Sequence, residues 1–134
     1  MHPIDRVTER IIGAAIAIHR KFGPGLLESV YAPRLGQDLV KSGLQVEIGK
    51  PLKLEHNGLR INRAYVLDLL VEESVIVEVK CVQQTTDLHV AQLLTYLRLT
   101  GIRVGLIINF NVTTLKHGIR RVVNGHVDDS GKKL

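Results

Sequence analysis

Apolar residues recur every three or four positions over the first 22 residues of the chain. This spacing is typical of a helix with one buried face, and Pro3 and Asp5 suit its first turn. The sequence Gly-Pro-Gly at 23–25 interrupts the pattern, and a second helical run begins near Leu26. Pro33 lies inside that run, where its ring would clash with a carbonyl one turn earlier, so we expect a kink or a break there.

The pattern then changes to one of strands. Residues 44–58 and 59–71 predict two antiparallel strands joined at Asn57-Gly58, a dipeptide typical of two-residue hairpin turns. Pro51 places the first strand at a sheet edge or beside a bulge, because proline cannot donate to a ladder. Apolar residues on both sides of a polar loop at 72–74 predict a third strand, paired with the second. The three strands form an antiparallel meander.

A third helix is predicted over 88–100, with its N-cap among residues 85–87 and its end at Gly101. Arg98 is its one residue of the types Lys, Arg, Asp and Glu. We therefore expect this helix to be mostly buried.

A fourth strand is predicted over 103–110 and is too apolar for a sheet edge. A helix separates it from the third strand, so the connection should be a right-handed crossover and the pairing parallel. Residues 118–123 add a fifth strand or a short helix. The predicted fold class is α/β, with a central mixed sheet of four to five strands, three of them an antiparallel meander joined by a parallel strand, flanked by helices.

Three charged side chains interrupt the apolar strands of the second hairpin: Asp68, Glu78 and Lys80. With the loop at 72–74, Asp68 lies opposite Glu78, and Lys80 shares their face about 6.6 Å further along. Two carboxylates about 5 Å apart repel by about 3 kcal/mol at an effective dielectric near 20. A divalent hard cation relieves this repulsion, can also take the carbonyl of Val79, and leaves positions for water and a phosphate oxygen, as Mg²⁺ prefers.

The competing interpretation of these charges is an ordinary cross-strand ion pair at a sheet surface. We favour a site, because charges among buried apolar neighbours are rarely without a function.

Other polar residues have two interpretations each. Glu28, in the first turn of the second helix, is either a helix-dipole partner or a third acid of the site. His89, Gln92 and Tyr96 form a polar stripe along the third helix. Buried polar groups need partners, and these are either backbone carbonyls or the waters and phosphate of the site.

Composition limits the classes of protein. The length of 134 residues suits a single domain, 1–134, with 124–134 a frayed tail. The single cysteine, Cys81, excludes an internal disulfide and suits a reducing cytosol. The apolar run at 11–18 is too short to cross a membrane, so we expect a cytoplasmic protein without a membrane partner. None of the six histidines pairs at i, i+4 with another His or with Cys, which makes a zinc site a poor fit.

The charge balance is 18 Lys and Arg against 13 Asp and Glu, a net charge of +5. A basic surface attracts polyanions. Lys116, Arg120 and Arg121 form a basic cluster near the end of the chain.

The order of Asp68 followed by Glu78-x-Lys80 on the next strand resembles the PD-(D/E)XK nuclease superfamily. Gly25, Glu28 and Tyr31 resemble the signature of the GxxExxY family, a small-protein branch of that superfamily. The stretches at 87–101 and 105–123 also resemble it, so the likeness covers nearly the whole chain.

The resemblance implies a restriction-endonuclease-like core and a nuclease that uses Mg²⁺ or Mn²⁺. Its partner would be nucleic acid, DNA in the first place with RNA as the alternative, and it could form a homodimer. The implied catalytic residues are Glu28, Asp68, Glu78, Lys80 and Gln92, and the implied metal ligands are Asp68, Glu78, Val79 and Glu28. The expected substrate contacts are Tyr96, His89, Lys116, Arg120 and Arg121.

Two other functions fit the same residues. One is a catalytically inactive module that retains the nuclease fold and binds nucleic acid or protein. The other is a structural domain that binds a metal without phosphate chemistry. Both would tolerate loss of Lys80, whereas a nuclease would not.

Overall fold

Residues 2–125, the part of the chain that the computed structural model describes, form a five-stranded mixed sheet flanked by three helices. The helices are α1 (Pro3–Phe22), α2 (Glu28–Lys41) and α3 (Asp87–Thr100). The strands are β1 (Val46–His56), β2 (Leu59–Val71), β3 (Val75–Lys80), β4 (Val104–Asn109) and β5 (Ile119–Val123), and a short 3₁₀ helix, Leu115–Gly118, precedes β5.

The strands follow one another across the sheet in chain order. β1, β2 and β3 are antiparallel, β4 is parallel to β3, and β5 is antiparallel to β4. The predicted α/β class, the meander and the parallel crossover strand are therefore confirmed. The stretch 118–123, which was predicted as either a strand or a short helix, forms the fifth strand from Ile119 onward, and Gly118 is the last residue of the 3₁₀ helix.

Each face of the sheet has its own core. Alternate strand residues such as Leu69, Val77 and Leu106 pack beneath α1 and α2. Their neighbours Ile76 and Ile107 face the other way and pack beneath α3. No helix within residues 2–125 combines the length and the apolar character that crossing a membrane requires.

Both hairpins follow their local sequence. Asn57 and Gly58 have φ angles of 49° and 83°, so both central residues of the turn are left-handed, as this dipeptide favours. Val71 pairs with Val75, which places the second loop where it was predicted. Pro51 lies on the edge strand β1, and the β1–β2 register shifts just after it, as its lack of an N–H predicts.

Pro33 does not interrupt α2, so the expected break is wrong. The proline removes one helical hydrogen bond, to the carbonyl of Ser29. Both residues are exposed, so water can satisfy that carbonyl and the helix continues.

The prediction that the third helix is mostly buried is also wrong. Thr86 caps α3, and Gly101 ends it in the left-handed conformation. The buried residues of α3 are Leu93, Tyr96 and Leu97. Among residues 2–125, α3 is the one helix on its face of the sheet, so its outer side meets no other helix and leaves Leu88 and Leu99 exposed.

The frayed tail predicted for 124–134 starts too early. Asn124 is buried, and its N–H donates to the Arg103 carbonyl at 2.8 Å. Residues 126–134 lie outside the described part of the chain.

Candidate active site

Asp68 and Glu78 lie where the hydrogen-bond ladder between β2 and β3 ends. The ladder stops at Leu69 and Val77, one pair before the two acids. Each acid then accepts a hydrogen bond from the opposite strand: the Val79 N–H donates to Asp68 Oδ2 at 2.8 Å, and the Asp68 N–H donates to Glu78 Oε1 at 3.3 Å. The two carboxylates therefore connect the strands here, and the ladder up to Leu69 and Val77 has the register that the loop predicted.

Burial opposes charge on both acids. Glu78 is 6% exposed, and its burial, followed by the nearby Asp68 carboxylate, raises its pKa to about 8. Burial also raises the pKa of Asp68, although the Val79 N–H and Lys80 oppose that shift. At neutral pH without a cation, the pair therefore retains a proton. A divalent cation can replace that proton, because it stabilises both carboxylates in the charged form.

Lys80 ends β3 on the same side of that strand as Glu78. Its positive charge lowers the pKa of both Asp68 and Glu78. The ion pairs between described residues do not include Lys80. Its ammonium group therefore belongs to the side of β3 that carries Glu78 and is available to a negatively charged ligand.

Glu28 begins α2, and Tyr31 positions the loop before it. The Tyr31 hydroxyl donates to the Gly23 carbonyl and accepts from the Leu26 N–H at 3.1 Å. The ring is fully buried and stacks on Phe110, with ring centroids 4.1 Å apart. Tyr31 thus ties the loop of residues 23–26 to the sheet core and orients the start of α2.

The Glu28 side chain is exposed, yet its charge raises the pKa of Asp68, Glu78 and Cys81. Within residues 2–125, no three His, Cys, Asp or Glu side chains are close enough together to hold one metal ion. The residues that fit a hard cation are therefore Asp68 and Glu78, which supply two oxygen donors that need a positive partner.

Tyr96 of α3 is buried beside the acid pair. Burial, followed by the charge of Glu78 and the proximity of Tyr65 and Asp68, raises its pKa to about 12, so the phenol is neutral. The Tyr65 ring of β2 meets the Tyr96 ring edge-on, with centroids 5.0 Å apart. This contact joins the site to an open groove between β2 and α3.

We call this cavity of about 360 Å³ the Tyr65 groove; its lining residues are Tyr65, Leu88, His89, Ala91, Gln92 and Thr95. Gln92 is exposed, so the expected buried stripe of the third helix is divided. The His89 ring accepts the Thr86 N–H at 3.0 Å and thereby completes the cap of α3. The structure brings Tyr96 to the acids and places Gln92 and His89 along the groove.

The predicted basic cluster is not one surface. Arg120 and Arg121 are neighbours on β5, so their side chains point to opposite faces of the sheet. Arg121 lies against α1, where it donates to Asp5 at 2.8 Å and to Thr8 at 3.4 Å. Lys116 also lies beside α1. Of the three, Arg120 shares the α3 face of the sheet, because its register partner on β4 pairs with Glu78 on β3.

Sequence reasoning missed two residues near the site. Asn109 is buried at the end of β4, where its amide accepts the Val82 N–H at 3.1 Å and donates to the Val82 carbonyl at 2.9 Å. It therefore holds the segment that follows Lys80, and a lone amide ending an apolar strand is a detectable signal. Nothing in the sequence distinguishes Tyr65 as a site residue, because aromatic residues are common in strands.

Comparison with known proteins identifies the superfamily of the chain. A family model for the PD-(D/E)XK nuclease superfamily matches residues 5–122, which include all five strands but the last residue of β5. A search among curated proteins gives no significant match. The matched region also contains the acid pair and Lys80. The chain belongs to the PD-(D/E)XK nuclease superfamily.

Proposed function

We propose that this protein is a nuclease that hydrolyses phosphodiester bonds of DNA with Mg²⁺ or Mn²⁺. The superfamily supports nuclease chemistry, and the observation that carries the proposal is the acid pair. Asp68 and Glu78 are held at the end of a ladder, each hydrogen-bonded to backbone, in surroundings that raise the pKa of both. A buried and a half-buried carboxylate in this state favour a divalent cation.

In this proposal Asp68, Glu78 and the Val79 carbonyl hold the metal, and Glu28 contributes through water. When bound, the metal would polarise the phosphate and lower the pKa of the attacking water. Lys80 stabilises the negative charge that develops on the phosphoryl oxygens or orients the attacking water.

The α3 residues act on the substrate side. Gln92 positions substrate or water from the groove. The neutral phenol of Tyr96 can donate a hydrogen bond without adding negative charge beside the acids.

We assign the chain to the GxxExxY branch of the superfamily. The support is the role of Tyr31, which orients the loop before Glu28. In this assignment, the glutamate of the motif serves the site and the tyrosine places it.

The decisive test is a cleavage assay on a panel of labelled DNA and RNA molecules, with single strands, duplexes, nicks and branches. Wild type should cleave at least one of them with Mg²⁺ or Mn²⁺ and none with EDTA. Glu78→Gln keeps the size of the side chain and should abolish cleavage. Absence of metal-dependent cleavage on every substrate, with binding retained, would favour the inactive module instead.

A further inference from the structure

The Tyr65 groove has a lining that suits an uncharged planar ring. Its six lining residues, all in the described part of the chain, include no Lys, Arg, Asp or Glu. A phosphate or a metal ion would therefore have no charged partner among the residues that line the groove. The groove offers instead an aromatic side chain, the apolar surface of Leu88 and Ala91, and uncharged polar groups.

One of those polar groups is available to a ligand. Thr95 donates its hydroxyl to the Ala91 carbonyl at 3.0 Å, and His89 accepts from Thr86. Gln92 is exposed, and its side chain makes no hydrogen bond within residues 2–125. Its amide has both donors and an acceptor, which matches the hydrogen-bonding edge of a nucleobase.

The groove also adjoins the acid pair. Tyr65 precedes Asp68 by three residues on β2, about 10 Å along the strand. The Tyr65 ring contacts the Tyr96 ring, and Tyr96 lies beside Asp68 and Glu78. A phosphate held at the acid pair would therefore place a neighbouring base at the groove.

We propose that the Tyr65 groove binds an unpaired base next to the phosphate that is cut, so that the substrate is single-stranded nucleic acid or an unpaired end. A paired base presents neither ring face nor pairing edge, whereas an unstacked base can lie on an aromatic side chain and bond to an amide. The location of the cut rests on the proposed nuclease function, but binding of the base does not.

The test measures binding without metal, so that cleavage plays no part. Fluorescence anisotropy in EDTA compares a labelled single-stranded oligonucleotide with a blunt duplex of the same sequence. Tyr65→Leu should weaken single-strand binding by at least about fivefold, the lower range for one base–aromatic stack. The affinity of Tyr65→Leu for the duplex should stay within about twofold of the wild-type value. Tyr65→Phe retains the ring and should bind the single strand like wild type.

A second pair of variants covers the case in which Tyr65→Leu fails to fold. Leu88→Ala removes a lining side chain that is 76% exposed, so it should not lower stability. Leu99→Ala makes the same change on the outer surface of the same helix, outside the groove. Leu88→Ala should weaken single-strand binding by about threefold or more, and Leu99→Ala should not.

Equal losses for single strand and duplex in Tyr65→Leu would overturn the proposal, as would unchanged affinity or a wild type that binds no single strand. The two proposals fail separately. Single-strand binding that depends on Tyr65, without cleavage by wild type, supports the groove and contradicts the nuclease. Cleavage that is indifferent to Tyr65→Leu and Leu88→Ala supports the nuclease and contradicts the groove.

Discussion

The Val79 N–H of β3 donates a 2.8 Å hydrogen bond to the Asp68 carboxylate of β2. A side chain thus supplies the acceptor at the point where the β2–β3 ladder ends. Asp68 therefore has a structural role, which needs an oxygen, and a proposed metal-binding role, which needs a charge. Substitution of Asp68 by asparagine keeps the oxygen and removes the charge, so it separates the structural role from the metal-binding role.

Asp68→Asn should fold but should lose its response to metal. The asparagine oxygen can still accept from the Val79 N–H, whereas the charge that attracts a cation is gone. Mg²⁺ or Mn²⁺ should raise the melting temperature of wild type, because a ligand bound by the native state alone stabilises it. Thermal unfolding with and without metal measures the difference. Asp87→Asn, an exposed control, should respond like wild type, and equal shifts in Asp68→Asn would contradict the metal site.

The pKa of Glu78 predicts that the metal-free protein loses stability as pH rises. The ordinary pKa of 4.5 becomes about 8 in the folded state, so between these values the folded form keeps a proton that the unfolded form releases. The stabilisation is complete below pH 4.5 and is lost as pH rises to about 8. The free energy of unfolding should fall by up to about 1.4 kcal/mol per pH unit.

Urea unfolding without divalent ions, from pH 4.5 to 8, tests this dependence. Glu78→Gln should flatten the curve, leaving the smaller contribution of Asp68, whose pKa is raised too. Glu55→Gln changes an acid of the exposed β1 surface and should keep the wild-type slope. Parallel curves for wild type and Glu78→Gln would contradict the raised pKa of Glu78.

Lys80→Ala should separate catalysis from binding. One ammonium adds little to the affinity for a long polyanion, but it matters where negative charge develops during phosphoryl transfer. We expect affinity within a few fold of wild type and a cleavage rate lower by about a hundredfold or more. Lys41→Ala, at the far end of α2 from Glu28, should leave both unchanged. A parallel loss of affinity and rate would make Lys80 a binding contact.

Arg120 and Arg121 should differ in function despite being adjacent. Arg120→Glu should weaken nucleic-acid binding and reduce its salt dependence, because Arg120 is on the face of the sheet that carries the site. Arg121→Glu should have little effect on affinity. It should lower the free energy of unfolding by about 1 kcal/mol or less, because its partner Asp5 is partly exposed. Titrations at several salt concentrations measure the first effect, and equal binding losses would contradict the assignment of faces.

Tyr31→Phe tests how the loop before Glu28 is held. Loss of the hydroxyl leaves the Gly23 carbonyl and the Leu26 N–H without their partner and should cost about 1 to 3 kcal/mol of stability. Cleavage should fall as well, since Glu28 is no longer oriented. Tyr65→Phe is the matched control, because the hydroxyl of Tyr65 makes no hydrogen bond within residues 2–125. Urea unfolding measures the free energy of unfolding of both variants. Equal values for Tyr31→Phe and Tyr65→Phe would contradict this role of Tyr31.

The sequence by itself determined the local structure and the centre of the site. Turns, caps and strand register depend on backbone preferences and on periods of two or 3.6 residues, all of which are short-range. The dipeptide Asn57-Gly58 was therefore enough to predict the turn that it forms. The polar loop at 72–74 set the register that opposes Asp68 and Glu78.

The tertiary structure alone decided which surfaces meet. Whether α3 is covered on one side or two depends on the number of helices on each face of the sheet, which no local pattern encodes. The contact between Tyr65 and Tyr96, and the groove beside it, joins residues of β2 and α3 that are 31 positions apart. Arg120 and Arg121 lie on opposite faces only because residues 119–123 pair as a strand with β4 rather than forming a helix. These features depend on long-range packing, since apolar surface is buried between elements and not within a single element.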